Sequence, residues 1–443
     1  MITLSFFCFS FVVLLIFIHY NFFVKGNNWF DAINIFIFFN FLYVAPLCLS
    51  YIYELQPSYS MTYMYYEIEP FFGFSVFYTS LALFIMYLFY MITPGRGVVY
   101  HFFLKFNGLN IKKGVFGGFS ILNLVLSVII FYIQCSKHGG FFSVLMMGYG
   151  VTEIFLQSPF IPISLLMIGI SSFLFLCEYK LNKNHKYLVG SLIVFILVCL
   201  IYLILGRRSS VVTYGLSYII FFSLLVRKIN FKLILPILFS GFVFLNFVGL
   251  VRDSNYADFN DIYSKVEDQS GKVNDDKNKL FYTITDGQFA IPYETLPVLM
   301  SKINSSDYYY GYTLLNIPIQ WIPRFILPEK NYGLARWYYQ KFYNSESMDN
   351  EGRQFFYLSE GFLNFGLLGV LLWGAIWGVI LKKINILKDS GFLGKYFFSI
   401  AVASSIILVS GDLTALFVVL IKTNFIWFFI PYFIILLFNR VQR

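Results

Sequence analysis

Charge is scarce in this chain. Only 12% of its 443 residues are charged, against 58% apolar and 22% aromatic, and the mean hydropathy is +0.71. A soluble domain carries about 25% charged residues, so the composition argues against a water-soluble globule and for a polytopic membrane protein. Cysteine is sparse as well. Cys8, Cys48, Cys135, Cys177 and Cys199 fall in or beside apolar runs, are odd in number and lack ligand spacing. Neither a disulfide framework nor a zinc site is supported. His19, His101, His138 and His185 are too scattered for a metal cluster. No phosphate-cradling glycine loop, nucleophile elbow or zinc motif is present, and no internal repeat is evident. Residues 1–24 lack a basic start and a small-residue cleavage site, and their apolar run is too long for a signal peptide. They are read as a first span.

What the chain has in quantity is apolar runs of spanning length. About 20 predominantly apolar residues cross a bilayer. By that measure the sequence predicts about eleven spans: 2–24, 30–53, 71–93, 115–135, 160–178, 187–205, 210–226, 232–250, 356–381, 393–410 and 415–438. Gly411, Asp412 and Lys422 interrupt the last tract, and Lys422 is read as marking an interfacial piece.

The net charge of +9 does not point to nucleic acid, because the excess sits in short loops beside spans. Lys25, Arg96, Lys112, Lys113, Lys180, Lys183, Lys186, Arg227, Lys228, Lys382, Lys383, Arg440 and Arg443 fall on one side; the alternate short loops hold Lys137, Arg207 and Arg208. Short basic loops stay cytoplasmic. The N-terminus is therefore expected outside and the C-terminus inside.

Three regions follow. A bundle of about eight spans (1–250) leads into a large extracytoplasmic loop (251–355), and the remaining spans (356–443) close the chain. The loop holds 14 of the 23 acidic residues. Connections that long are usually functional. Its first part, to Lys279, is polar; later segments such as Ile291-Pro292-Tyr293-Glu294 and Ile317-Pro318-Ile319-Gln320-Trp321 read as short helices on or partly in the outer membrane face.

Candidate functional residues gather on the outer side. Arg207 and Arg208, Arg252 and Arg324 break the inside preference of basic residues. A guanidinium grips phosphate bidentately and keeps its charge, so several at the interface would suit a lipid-linked diphosphate. The alternative is that each snorkels to the interface or pairs with a loop carboxylate. Glu360 begins the ninth span, and Asn364, four residues on, shares its helix face. A carboxylate at a span's edge is costly unless paired or functional, and such a group suits a general base; otherwise Glu360 caps its own helix with Ser359. Asp286, Glu294 and Asp412 are weaker carboxylate candidates, each read as structural or solvated. His138, followed by Gly139 and Gly140, is a secondary acid/base candidate. Gly374 and Gly378 form a GxxxG spacing, which serves close helix packing.

Tyr310-Gly311-Tyr312, Ile322-Pro323-Arg324, Pro328-Glu329-Lys330 and the run from Glu360-Gly361-Phe362 to Gly369 together resemble the oligosaccharide repeat-unit polymerases (O-antigen polymerases, Wzy-type). In that family similar motifs lead from a large periplasmic loop into a late span. Gly206-Arg207-Arg208-Ser209, Val251-Arg252-Asp253 and Gly411-Asp412 fall where members carry such residues. The likeness covers roughly 200–415. The sequence departs at Asn331, where a proline is common, and by having no basic residue before Gly411, which weakens a functional reading of Asp412.

The resemblance implies an all-α, GT-C-like glycosyltransferase of a bacterial cytoplasmic membrane that needs no cofactor or metal. It would join undecaprenyl-diphosphate-linked oligosaccharides into a surface polysaccharide, O-antigen or capsule. Its surroundings would be membrane lipid, a flippase and a chain-length regulator. Glu360 and Arg324 would be catalytic, and Arg207, Arg208 and Arg252 would hold diphosphate. A glycan ligase would share the fold and chemistry. A flippase calls for charges deep in several spans and two similar halves, and the sequence has neither.

Overall fold

The computed structural model describes residues 1–24, 28–53, 65–95, 97–105, 111–146, 158, 160–229, 291–320, 322, 326–327, 333–343 and 354–441. All regular structure among them is helical. Two compact units emerge, one from Met1–Pro94, Pro236–Lys382 and Ser405–Val418, the other from Gly95–Leu235, Lys383–Ser404 and Val419–Arg443.

The first unit opens with α1 (Ile2–Ile18, extended by a π turn over His19–Phe23), α2 (Ala32–Ile52) and α3 (Tyr65–Ile92). The second begins with α4 (Val98–Lys105), α5 (Val115–Ser136), α6 (Phe141–Met146), α7 (Phe160–Asn182), α8 (His185–Ile204) and α9 (Arg208–Leu225). Returning to the first unit, the chain forms α10 (Ile291–Lys302), α11 (Asn316–Ile319), α12 (Leu334–Phe342) and α13 (Tyr357–Ile386). Then come α14 (Phe392–Ala403), α15 (Ser405–Val409), α16 (Leu413–Leu416), a π-helical stretch Phe417–Phe425, and α17 (Ile426–Val441).

Seven helices among the described residues are long and apolar enough to cross a membrane, over Ile2–Phe23, Ala32–Ile52, Glu67–Ile92, Val115–Ser136, Phe160–Asn182, His185–Ile204 and Tyr357–Asp389. Each overlaps a predicted span, six of them to within about five residues at either end, while Tyr357–Asp389 runs on past the predicted end at 381. Their outer faces are apolar: α1 presents Leu4, Phe7, Phe11, Leu14 and Ile18, and α8 presents Val189, Ile193, Ile196, Leu200 and Ile204. In water such stripes would be an aggregation hazard; against lipid tails they are at home. The chain is thus consistent with a multi-pass membrane protein.

Three other expected spans are built from shorter helices among the described residues. The 210–226 run is a shorter helix, Ser209–Leu225. The 393–410 run divides at Ser404 into α14 and α15, and the 415–438 run into α16, the π stretch and α17. Apolar composition continues across these breaks, so hydropathy does not register them. The eighth predicted span, 232–250, lies outside the described residues.

Inside each unit the packing is aromatic and close. In the second, α5 packs on α7 and α7 on α8, with Phe173 edge-on to Tyr214, Phe221 and Tyr396. In the first, Trp377 stacks on Phe36, and both meet Tyr357 edge-on. The GxxxG reading holds at α3. A Cβ on Gly374 would sit 2.5 Å from the Ala82 carbonyl oxygen, and one on Gly378 2.2 Å from that of Met86.

Candidate functional site

The site is built on a helix that stops and restarts. In α13 the backbone leaves helical geometry at Phe365 (φ −142°, ψ 22°) and Gly366 (φ 63°, ψ −146°). The second conformation is open to glycine and strained for other residues. An unbroken helix would hold Gly361 and Gly369 about 12 Å apart along its axis. Instead a Cβ on Gly369 would lie 1.9 Å from the Gly361 oxygen, and one on Gly361 2.4 Å from the Gly369 oxygen. The two pieces fold back on each other, and only two glycines can meet that closely. The ninth predicted span is present as a continuous apolar run, but its backbone is interrupted at Phe365 and Gly366. Residues 367–386 still supply a helix of spanning length.

A helix that ends inside a protein leaves its last carbonyls needing donors. The segment after α10 supplies them. Tyr309 N–H donates to Leu363 O (3.0 Å), Tyr310 N–H to Asn364 O (3.1 Å) and Gly311 N–H to Asn364 Oδ1 (2.8 Å). Residues 308–313 thereby form a strap across the break. Tyr308 lies against Gly366, where any Cβ would strike its ring.

Beneath the strap sits Glu360, 1% exposed. Thr313 Oγ1 donates to its Oε1 (2.9 Å); Leu413 N–H (2.8 Å) and Trp373 Nε1 (3.4 Å) donate to its Oε2. Asn364, fully buried, donates through Nδ2 to Thr313 Oγ1 and to the Glu360 carbonyl, both at 2.8 Å. The expected sharing of one face by Glu360 and Asn364 is found. The self-capping alternative is not, because the partners of the carboxylate come from three other places in the chain.

Asp412 completes the cluster. Its Oδ2 accepts from Leu334 N–H at the start of α12 (2.8 Å) and its Oδ1 from Ala415 N–H in α16 (2.7 Å). One carboxylate thus lies at two helix N-termini, where a negative charge is favoured. It is buried rather than solvated, and close enough to Glu360 to act on it electrostatically. Burial pushes the Asp412 carboxyl above its ordinary range, against the pull of the two backbone donors.

Glu294 is buried too, accepting from Tyr338 Oη at 3.0 Å. Its helix α10, expected on the membrane surface, is buried from Pro292 to Leu299 against α2 and α3. The polar groups that made it look superficial find partners inside: Tyr293 Oη with Ser75 (3.3 Å) and Thr79 (3.2 Å), Thr295 Oγ1 with Ser359 (2.8 Å). In the later segment Pro318 and Ile322 are exposed and Ile317, Ile319 and Gln320 are half-buried.

Of the remaining candidates, Arg252, Arg324 and Asp286 lie outside the described residues. Arg207 and Arg208 belong to the second unit, where Arg207 precedes α9 near Tyr202 and Arg208 opens that helix. His138 follows α5, its Nε2 2.7 Å from Ser158 Oγ. Sequence reasoning passed over Thr313, Trp373 and Arg336. Arg336 is half-buried on α12, whose first N–H group meets Asp412. An arginine directly before an aromatic run, Trp337-Tyr338-Tyr339, was the available signal. Among the described residues no three of His, Cys, Asp and Glu gather as a metal would need.

The chain matches no family model, no curated protein and no solved structure.

Proposed function

We propose that the chain is a membrane glycosyltransferase that polymerises oligosaccharide repeat units carried on undecaprenyl diphosphate. The observation that carries the reading is the Glu360 cluster: a buried carboxylate at a broken helix, tied to a strap from the outer loop. Ionisable groups within spanning segments are costly and mark functional sites by default. Broken helices in membrane proteins recur where a substrate is held. Three of the stretches that resemble repeat-unit polymerase motifs, at 310–312, 360–369 and 411–412, also meet in this cluster although they span a hundred residues of sequence.

In the proposed reaction an acceptor sugar hydroxyl oxygen bonds to the anomeric carbon of the donor. The bond from that carbon to the diphosphate oxygen breaks, and polyprenyl diphosphate leaves with the electron pair. Glu360 takes the hydroxyl proton, which requires Thr313 and its strap to move off the carboxylate. Arginines are the proposed partners of the leaving charge, which preorganised cations stabilise, with Arg252 and Arg324 the candidates from the stretch of chain that leads into Glu360. The fold class is GT-C-like, the site faces outward from a bacterial cytoplasmic membrane, and a flippase and chain-length regulator are the expected neighbours.

The test is reconstitution. Purified chain in lipid vesicles, given the lipid-linked repeat, should build a ladder of polymer, and Glu360→Gln should stop it at single repeats. A ladder of unchanged length and rate from Glu360→Gln would overturn the assignment. Transfer of preformed polymer to another acceptor, without a ladder, would favour a ligase.

A further inference from the structure

Tyr310 is held in a conformation that a bulky residue seldom adopts. Its φ is 45°, in the left-handed region, and its ring is nonetheless 69% exposed. Such strain persists only where the surroundings impose it, and it concentrates at ligand sites. Here the backbone is pinned by the Tyr310 N–H bond to Asn364 O, and the ring by Tyr310 Oη donating to Ser305 O at 3.2 Å. If position 310 served only as a turn, Asn or Gly would fill it without cost.

The neighbours extend the surface. Tyr312 is 58% exposed, and Gly311 (φ 88°) adds no side chain between the two tyrosines. Beside this glycine lies Phe365, 37% exposed, its Cζ 3.6 Å from where a Gly311 Cβ would stand. Thr313, the next residue along the strap, donates to Glu360. The outer side of the strap is therefore aromatic, and its inner side holds the buried carboxylate.

We infer that Tyr310, Phe365 and Tyr312 form a stacking platform for a sugar ring of the lipid-linked oligosaccharide, setting it beside Glu360. The inference rests on the glycosyltransferase reading above and adds the groups that hold the glycan. A pyranose ring offers an apolar C–H face and a polar rim. A fixed tyrosine matches both, with a flat apolar body and a hydroxyl at its edge. Tyrosines that merely anchor a protein at the headgroup level need no fixed ring orientation and no left-handed backbone.

The probe is the water-soluble oligosaccharide released by mild acid from the cell's own lipid-linked pool. Saturation-transfer NMR on the purified protein in nanodiscs should show contact with sugar C–H protons. Tyr312→Leu, which keeps apolar bulk but loses the flat face, should weaken binding about tenfold, the scale of one aromatic contact, and Tyr312→Trp should restore it. Tyr310→Asn should raise the Tm, because asparagine tolerates positive φ, while binding falls. Equal transfer in wild type and Tyr312→Leu, or none in wild type, overturns the platform. Polymerisation is followed in parallel: a ladder with no loss in Tyr312→Leu sinks the platform and spares the enzyme reading, whereas sugar binding without any ladder does the reverse.

Discussion

Glu178 in the second unit and Glu360 in the first are both buried and both accept from an N–H group at the start of another helix, and their remaining surroundings differ. Glu178, fully buried in α7, accepts from the N–H groups of Gly114 (2.6 Å) and Gly117 (3.0 Å) at the start of α5 and from the Asn182 amide one turn along its own helix. Two elements are involved, and the geometry is that of a cap supplied in trans. Glu360 gathers Thr313 from the strap, Trp373 from beyond the helix break and Leu413 from α16, and has a second carboxylate, Asp412, close by. A structural role needs only satisfied donors, and Glu178 has them. Glu360 also meets the first N–H of α16 and Asp412 caps α12 and α16, so what sets this pair apart from Glu178 is the second acidic group close by and the strap of exposed tyrosines tied to it. That difference is what the proposed catalytic role is built on.

The largest expected effect tests the break beneath Glu360. Gly369→Ala puts a methyl group 1.9 Å from the Gly361 oxygen, a backbone clash with nowhere to relax. It should cost about 3 kcal/mol or more and remove most folded protein, as size-exclusion yield would report. Gly190→Ala in the second unit meets only the Phe175 ring at 3.9 Å, so its yield should be unchanged. Next, Glu360→Gln should lower turnover by about 100-fold or more, the scale of a lost general base, with the protein still folded. Glu178→Ala strands the buried N–H of Gly117 and the part-buried one of Gly114 and should lower stability by about 1–3 kcal/mol, with turnover per folded molecule intact. The smallest change is Tyr43→Phe. It removes a 2.8 Å hydrogen bond to the Ile406 carbonyl and should cost about 1 kcal/mol in a thermal shift assay, again without touching turnover.

The long spans were legible because bilayer thickness fixes apolar length, and six of the seven qualifying helices begin and end near the predicted limits. The Glu360–Asn364 pair was legible from helical spacing alone. The break at Phe365–Gly366 was not, since a glycine inside an apolar run reads equally as a packing position, as Gly374 and Gly378 indeed are. The burial of α10 was hidden by its prolines and hydroxyl groups, which resemble an interfacial segment until Ser75, Thr79 and Ser359 are brought against them. Of the two readings of Asp412, structural or solvated, the sequence could not choose the buried one, because its donors are backbone N–H groups of Leu334 and Ala415. Backbone donors leave no side-chain signature, and Leu334 lies 78 residues away along the chain.

The most direct measurement compares Glu360→Gln with Glu178→Gln in purified, vesicle-reconstituted protein, scoring polymer formed per folded molecule from the lipid-linked repeat. The account predicts a full ladder from Glu178→Gln and single repeats alone from Glu360→Gln, with both variants melting cooperatively. Equal ladders from the two would contradict it.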